Sequence, residues 1–190
     1  MITLFIISLL IFCAYVTVLV YKFGVPASIS ESSYLYGKNG NLIFWCCMTA
    51  FIFPMLMFWL EITKNESIQF LVFLSCAALC FTAITGRYRG DNGKTESNIH
   101  TYGTIVCAIC SQLWTWFTFS YSWILSCIIL ILALFIGVAV KGAKREIWKD
   151  ATGKTVFGTV RKHYNSVVFF VEMALFIMAY FSILYKYIKL

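Results

Sequence analysis

Long apolar stretches alternate with short polar segments along the chain, and within the stretches no period-two pattern appears. Six of them, Ile2 to Tyr21, Leu42 to Leu60, Ile68 to Thr85, Thr101 to Phe119, Trp123 to Val140 and Ser166 to Tyr187, approach the length that crosses a hydrocarbon layer. That length is about 20 residues for roughly 30 Å at helical rise. The run at residues 128–136, Ile-Ile-Leu-Ile-Leu-Ala-Leu-Phe-Ile, is apolar on every face, whereas strands of a membrane barrel alternate. Lipid supplies no hydrogen-bond partners, so such segments satisfy their own backbone as helices. The pattern predicts an all-α, polytopic transmembrane helix bundle of about six spans, with residues 1–190 forming a single integral membrane domain. No basic leader or small-residue cleavage pattern separates Met1 from the first apolar run, which is expected to be a retained span rather than a signal peptide.

Composition agrees with a membrane solvent: 61% of residues are hydrophobic and 12% charged, against about a quarter charged in soluble domains. The formal net charge of +7 does not point to nucleic acid, because the basic residues lie in loops between spans with no nucleic-acid-binding signature around them. Membrane lipids are the expected partners, with anionic headgroups as counter-charge to the basic loop after the fifth span. All eight cysteines fall within apolar spans, which favours small packing residues over a disulfide framework. Cys107 and Cys110 form a C-x-x-C, but in mid-helix with no strand beside it, which supports neither a redox nor a zinc-ribbon reading.

With six spans the first, third and fifth loops share one face of the membrane, and twelve of the fifteen lysines and arginines lie there. Cytoplasmic loops carry this excess, so both termini are expected outside a cell inner or plasma membrane. Trp45, Trp59, Trp114, Trp116 and Trp123 fall where interfacial aromatic anchors belong, and the fourth-to-fifth connection should barely leave the membrane. The first loop, with Pro26, a serine-rich run and a Gly-Lys-Asn-Gly turn, has enough apolar character to pack back on the bundle. The fifth loop opens with a basic stretch containing Trp148 that fits a short interfacial helix.

Glu172 is the one carboxylate inside a span, and such groups usually face the bundle interior and mark function. Seven residues past Asn165, it lies about 10 Å along the helix from the fifth loop. Its alternative role is a carboxyl that only fixes helix packing. His100 opens the fourth span, with Thr104, Cys107 and Ser111 below it on one helical face. That stripe faces other helices, where hydroxyl and thiol groups can act purely as glue. Ser30, Glu31, Arg87, Arg89, His100 and Glu172 all belong to the cytoplasmic side and are the candidate ligand-binding residues. Arginines there could hold a phosphate, and His100 with the carboxylates could act as acid and base. No metal-binding motif and no nucleophile elbow is present, the cofactor is unknown, and turnover is open. Thr152-Gly153-Lys154-Thr155 lacks the earlier glycine and preceding strand of a phosphate loop.

Three features resemble the DRAM-type family of six-span membrane proteins, which includes GPI-anchor lipid-remodelling factors. They are the first loop with Pro26 and Ser28-Ile29-Ser30-Glu31, a small-residue third span leading to His100 and Gly103, and the last-span glutamate Glu172. Met173 stands where a tryptophan often follows that glutamate, and the fifth loop is unusually basic. The chain also resembles small membrane proteins of gut bacteria and their phages. The DRAM-type resemblance implies a lipid-related role, with Ser30, Glu31, His100 and Glu172 as the positions to test. Beside this reading stand a non-catalytic scaffold or interaction protein, and a small-solute or proton pathway through Glu172. Neither internal repeats nor interrupted spans support transport, Pro54 being the only proline within a span.

Overall fold

A computed structural model describes residues 2–85, 94–119, 121–152 and 154–189. The chain is mostly helical: α1 (Ile2–Phe23), α2 (Ser32–Leu35), a 3-10 turn at Gly37–Asn39, α3 (Gly40–Ile62), α4 (Gln69–Ile84), α5 (Lys94–Thr118), α6 (Ser122–Ala139) and α7 (Val167–Lys189). Each apolar stretch is a helix. α1, the Gly37–Ile62 stretch, α6 and α7 are long and apolar enough to cross a membrane. α4 is a shorter apolar helix of 16 residues, and α5 begins at Lys94, well ahead of the expected Thr101, so its first turns are polar.

The helices pack as α1 on α3, α3 on α4, α4 on α5, α6 on α7, with α7 also against α5 and α3. Buried positions on α1, Phe5, Ser8, Phe12, Tyr15 and Leu19, recur every three or four residues and make one stripe. Phe5 and Phe12 meet Tyr180 of α7 at ring separations of 5.5 and 6.2 Å. The Ser8 hydroxyl donates to the Phe51 carbonyl at 2.8 Å and lies 2.8 Å from the Tyr180 hydroxyl, tying three helices in the core. The outward faces are as apolar as the core: Leu10, Phe53, Phe81, Phe135 and Val138 are all exposed. Such a surface is unsuited to water and suited to lipid.

The departure from an all-helical fold is an antiparallel hairpin, β1 (Lys141–Lys149) paired with β2 (Thr155–Asn165). The expected interfacial helix around Trp148 is therefore corrected to a strand. Two things override local helix preference. β2 is rich in β-branched and aromatic residues and offers a ladder from Lys141–Asn165 to Lys149–Thr155, with register shifts between Gly142 and Lys144 and between Arg145 and Ile147. Across it Glu146 pairs with Arg161 at 2.8 Å, and Trp148 packs over Gly158, where a Cβ would come within 2.3 Å of the ring. Asp150 closes the turn by accepting from the Thr152 hydroxyl and from the Thr152 and Lys154 N–H groups.

The first loop folds back as a buried plug. α1 ends at Gly24, whose φ of +79° provides the left-handed cap, and Ser30 to Leu35 are all buried. One side of the plug pairs with β1 through Ala27 N–H to Ala143 O (3.0 Å) and Ala143 N–H to Val25 O (2.7 Å). The other side meets α7 through Phe169 N–H to Ala27 O (3.2 Å). First loop and hairpin thus occupy the same end of the bundle.

Candidate functional site

The plug and four helices line a cavity of about 90 Å³. α3 contributes a row from Phe44 through Met48 and Met55 to Trp59, spaced to put one face inward. Shorter rows come from α4, α5 and α7, and most of the wall is apolar. Polar groups gather toward the plug end, where Ser30, Thr82, Thr104 and Glu172 line the wall.

Glu172 sits five residues into α7, and α7 starts beside the plug, so its carboxyl reaches the plug backbone. Ile29 N–H donates to Glu172 Oε2 at 2.6 Å. The bond satisfies an amide that no secondary structure would otherwise serve and fixes the carboxylate against the cavity. Ser30, next in sequence, is held by its neighbours: its hydroxyl lies 3.1 Å from that of Ser28, and its carbonyl accepts from the Ser33 hydroxyl at 2.8 Å. Among the described residues lining the cavity none is lysine, arginine or histidine.

The expected site residues separate into three groups. Ser30 and Glu172 share the cavity wall. His100 is buried behind that wall, with Nδ1 3.2 Å from the Thr82 carbonyl oxygen. Because a carbonyl only accepts, this nitrogen carries the hydrogen, and the ring caps a last-turn carbonyl of α4. Thr82 and Thr104 link it to the cavity, Thr104 donating to the His100 carbonyl at 2.8 Å. Glu31 is buried on the other side of the plug and accepts the Arg145 N–H at 3.1 Å through Oε1. Arg87 and Arg89 lie outside the described residues. His163 is exposed on β2.

Below His100 the stripe links helices at one position, Cys107, while Thr104 and Ser111 bond within α5. The Ser75 hydroxyl donates to the Cys107 carbonyl at 3.3 Å across α4 and α5, and Ser111 donates to the Ala108 carbonyl at 3.1 Å. All eight cysteines are free thiols. Among the described residues, no cluster of three His, Cys, Asp or Glu side chains is placed to hold a metal.

Arg145 is the residue that sequence reasoning passed over. It was one of seven basic residues in a loop, yet its guanidinium donates to Leu35 O (2.8 Å) and Gly158 O (3.0 Å), clamping hairpin to plug. Its partners are up to 114 residues away, so no local spacing could single it out. No protein-family model, curated protein or solved structure matches this chain.

Proposed function

We propose that this is a six-span membrane protein, with both termini outside, that binds a membrane amphiphile in the cavity between α3, α4, α5 and α7. The observation that carries the reading is a mostly apolar cavity with a half-buried carboxyl group, Glu172, at one end. An apolar void stays dry, and its lining forgoes dispersion contacts that a filling group would restore. The surrounding bilayer holds chains able to fill it. This places the apolar body of the ligand along Met48 to Trp59 and its polar end beside Ser30 and Glu172.

The six-span topology counts α4 and α5 as spans beside the four longer apolar helices, which keeps plug and hairpin on the cytoplasmic face with the basic excess. Lys186, a basic residue on the opposite face, pairs with Glu66, so its charge is balanced there. The hairpin's lysines and arginines then face anionic headgroups of the inner leaflet. Kinship with DRAM-type proteins belongs to the same proposal. Its support is that two of the residues carrying the resemblance, Ser30 and Glu172, meet at one site, with His100 one residue behind.

Native mass spectrometry of protein extracted from its own membrane tests the reading. The wild-type chain should retain a co-purifying amphiphile that Ala179→Phe, which fills the cavity wall, releases while the fold persists. Equal lipid content in both proteins would contradict it.

A further inference from the structure

We infer that the cavity opens at its Trp59 end, through a gate formed by the Trp59–Trp114 pair and held shut by the Lys186–Glu66 ion pair, while the plug end is a fixed floor. The inference concerns how the cavity opens, whatever fills it, and does not rest on the amphiphile reading.

A short chain of contacts closes the Trp59 end. Trp59, which lines the cavity from α3, meets Trp114 of α5 edge to face, with ring centroids 4.9 Å apart. The Lys186 ammonium lies 5.9 Å from the Trp114 ring centroid and pairs with the Glu66 carboxylate. Glu66 belongs to the connection between α3 and α4, and Lys186 to the last turn of α7. One ion pair therefore ties these segments together across the two indole rings, and both of its side chains remain partly exposed.

The two ends of the cavity differ in how well their polar groups are paired. In the closing layer Trp59 Nε1, Trp114 Nε1 and Glu66 Oε2 are buried with no hydrogen-bond partner among the described residues. So are the hydroxyls of Thr115, beside Trp114, and of Ser182, one turn ahead of Lys186. Each withholds a bond that water would make, so closing this layer forfeits hydrogen bonds that opening restores. At the plug end the groups are engaged. Glu172 accepts Ile29 N–H, and the hydroxyls of Ser32 and Ser33 donate to the Ile29 and Ser30 carbonyls at 2.7 and 2.8 Å. Arg145 Nε and Asn41 Oδ1 are unpaired there among the described residues, but neither residue lines the cavity. Lifting the plug thus breaks well-paired hydrogen bonds, whereas parting the Trp59 layer breaks chiefly one partly exposed ion pair, a weak restraint.

The test uses the full chain in nanodiscs and its native thiols. Cys107 lines the cavity, Cys46 is exposed, and Cys110 is buried without lining the cavity. Methyl methanethiosulfonate, a small neutral reagent, should modify Cys46 readily and Cys107 only as the cavity opens, and peptide mass spectrometry reads the rate at each. When opening is fast relative to reaction, the Cys107 rate follows the open population. Lys186→Met and Glu66→Gln should each raise that rate about fivefold and leave Cys46 and Cys110 unchanged. Arg145→Ala, which loosens the plug, should change it by less than about twofold. Faster Cys107 modification in Arg145→Ala, a rate that neither ion-pair variant alters, or a rise that Cys110 shares would overturn the gate. Should one ion-pair variant fail to fold, the other carries the comparison.

Discussion

Glu172, near the start of the last helix, accepts the backbone N–H of Ile29 at 2.6 Å, joining two positions 143 residues apart in sequence. That bond holds the plug of the first loop against α7 and sets one wall of the cavity. Every consequence drawn for the site depends on this carboxylate staying where it is.

Replacing Glu172 separates its acceptor role from its charge. Glu172→Gln keeps a carbonyl oxygen for Ile29 N–H and should unfold close to the wild-type temperature. Glu172→Leu leaves a buried amide without a partner, a loss of about 1–3 kcal/mol, and should unfold several degrees lower in detergent. Equal unfolding temperatures for all three proteins would show that the bond contributes nothing.

Arg145 makes the second attachment of the plug. Arg145→Ala removes the donors to Leu35 O and Gly158 O, so amide exchange across residues 30–35 should accelerate by an order of magnitude or more, for about 1–3 kcal/mol of local stability. Arg145→Lys restores the charge but not the fork and should rescue only in part. Unchanged exchange in Arg145→Ala would show that the hairpin does not hold the plug.

How much of this was legible in the sequence depends on the solvent. Each long helix was visible as an apolar stretch, because a spanning backbone leaves few alternatives. Which face turned inward was not, since lipid and core are equally apolar. On α1 the buried stripe of Phe5, Phe12 and Leu19 looks no different in composition from exposed Ile6, Leu10 and Val18. Polar markers did better. Glu172 is drawn inward because lipid cannot solvate it, and Ser8 likewise sits at the centre of the bundle. The hairpin was missed because its strands are specified by each other. A basic stretch with one tryptophan fits an interfacial helix until Thr155 to Asn165 is paired beside it.

The same hairpin gives a pH prediction. The Thr152 hydroxyl, with the Lys154 and Thr152 N–H groups, holds the Asp150 carboxyl below its ordinary value. A depressed folded-state value means that the turn's contribution is present above the ordinary carboxylate range of about 3.9 and disappears as pH falls through the lower folded-state value. Protection of the Thr152 and Lys154 amides should therefore persist across neutral and mildly acidic pH, and Asp150→Ala should remove it at neutral pH. Equal exchange in the two proteins would contradict the turn's role.

Close helix approach should be sensitive to a single methyl group. A Cβ on Gly137 would lie 2.5 Å from Val167 Cα, where α6 meets the start of α7. Gly137→Ala forces backbone to move against backbone and should destabilise by about 1–3 kcal/mol, read as a lower unfolding temperature. An unchanged temperature would mean that the two helices are not so closely apposed.

The proposed topology rests on the basic excess. In a background without native cysteines, Lys64→Cys should react with an impermeant maleimide on intact cells, and Thr159→Cys on the hairpin only after permeabilisation. Labelling of the hairpin from outside would reverse the orientation.

The central claim is that a chain lies in the cavity with its polar end at Glu172 and its tail toward Trp59. Anomalous diffraction from crystals grown with a terminally brominated amphiphile measures this most directly. The account predicts a bromine peak at the Trp59 end of the cavity in the wild-type protein and none there in Ala179→Phe. Bromine confined to the lipid-facing surface, with the cavity closed or empty in both proteins, would contradict it.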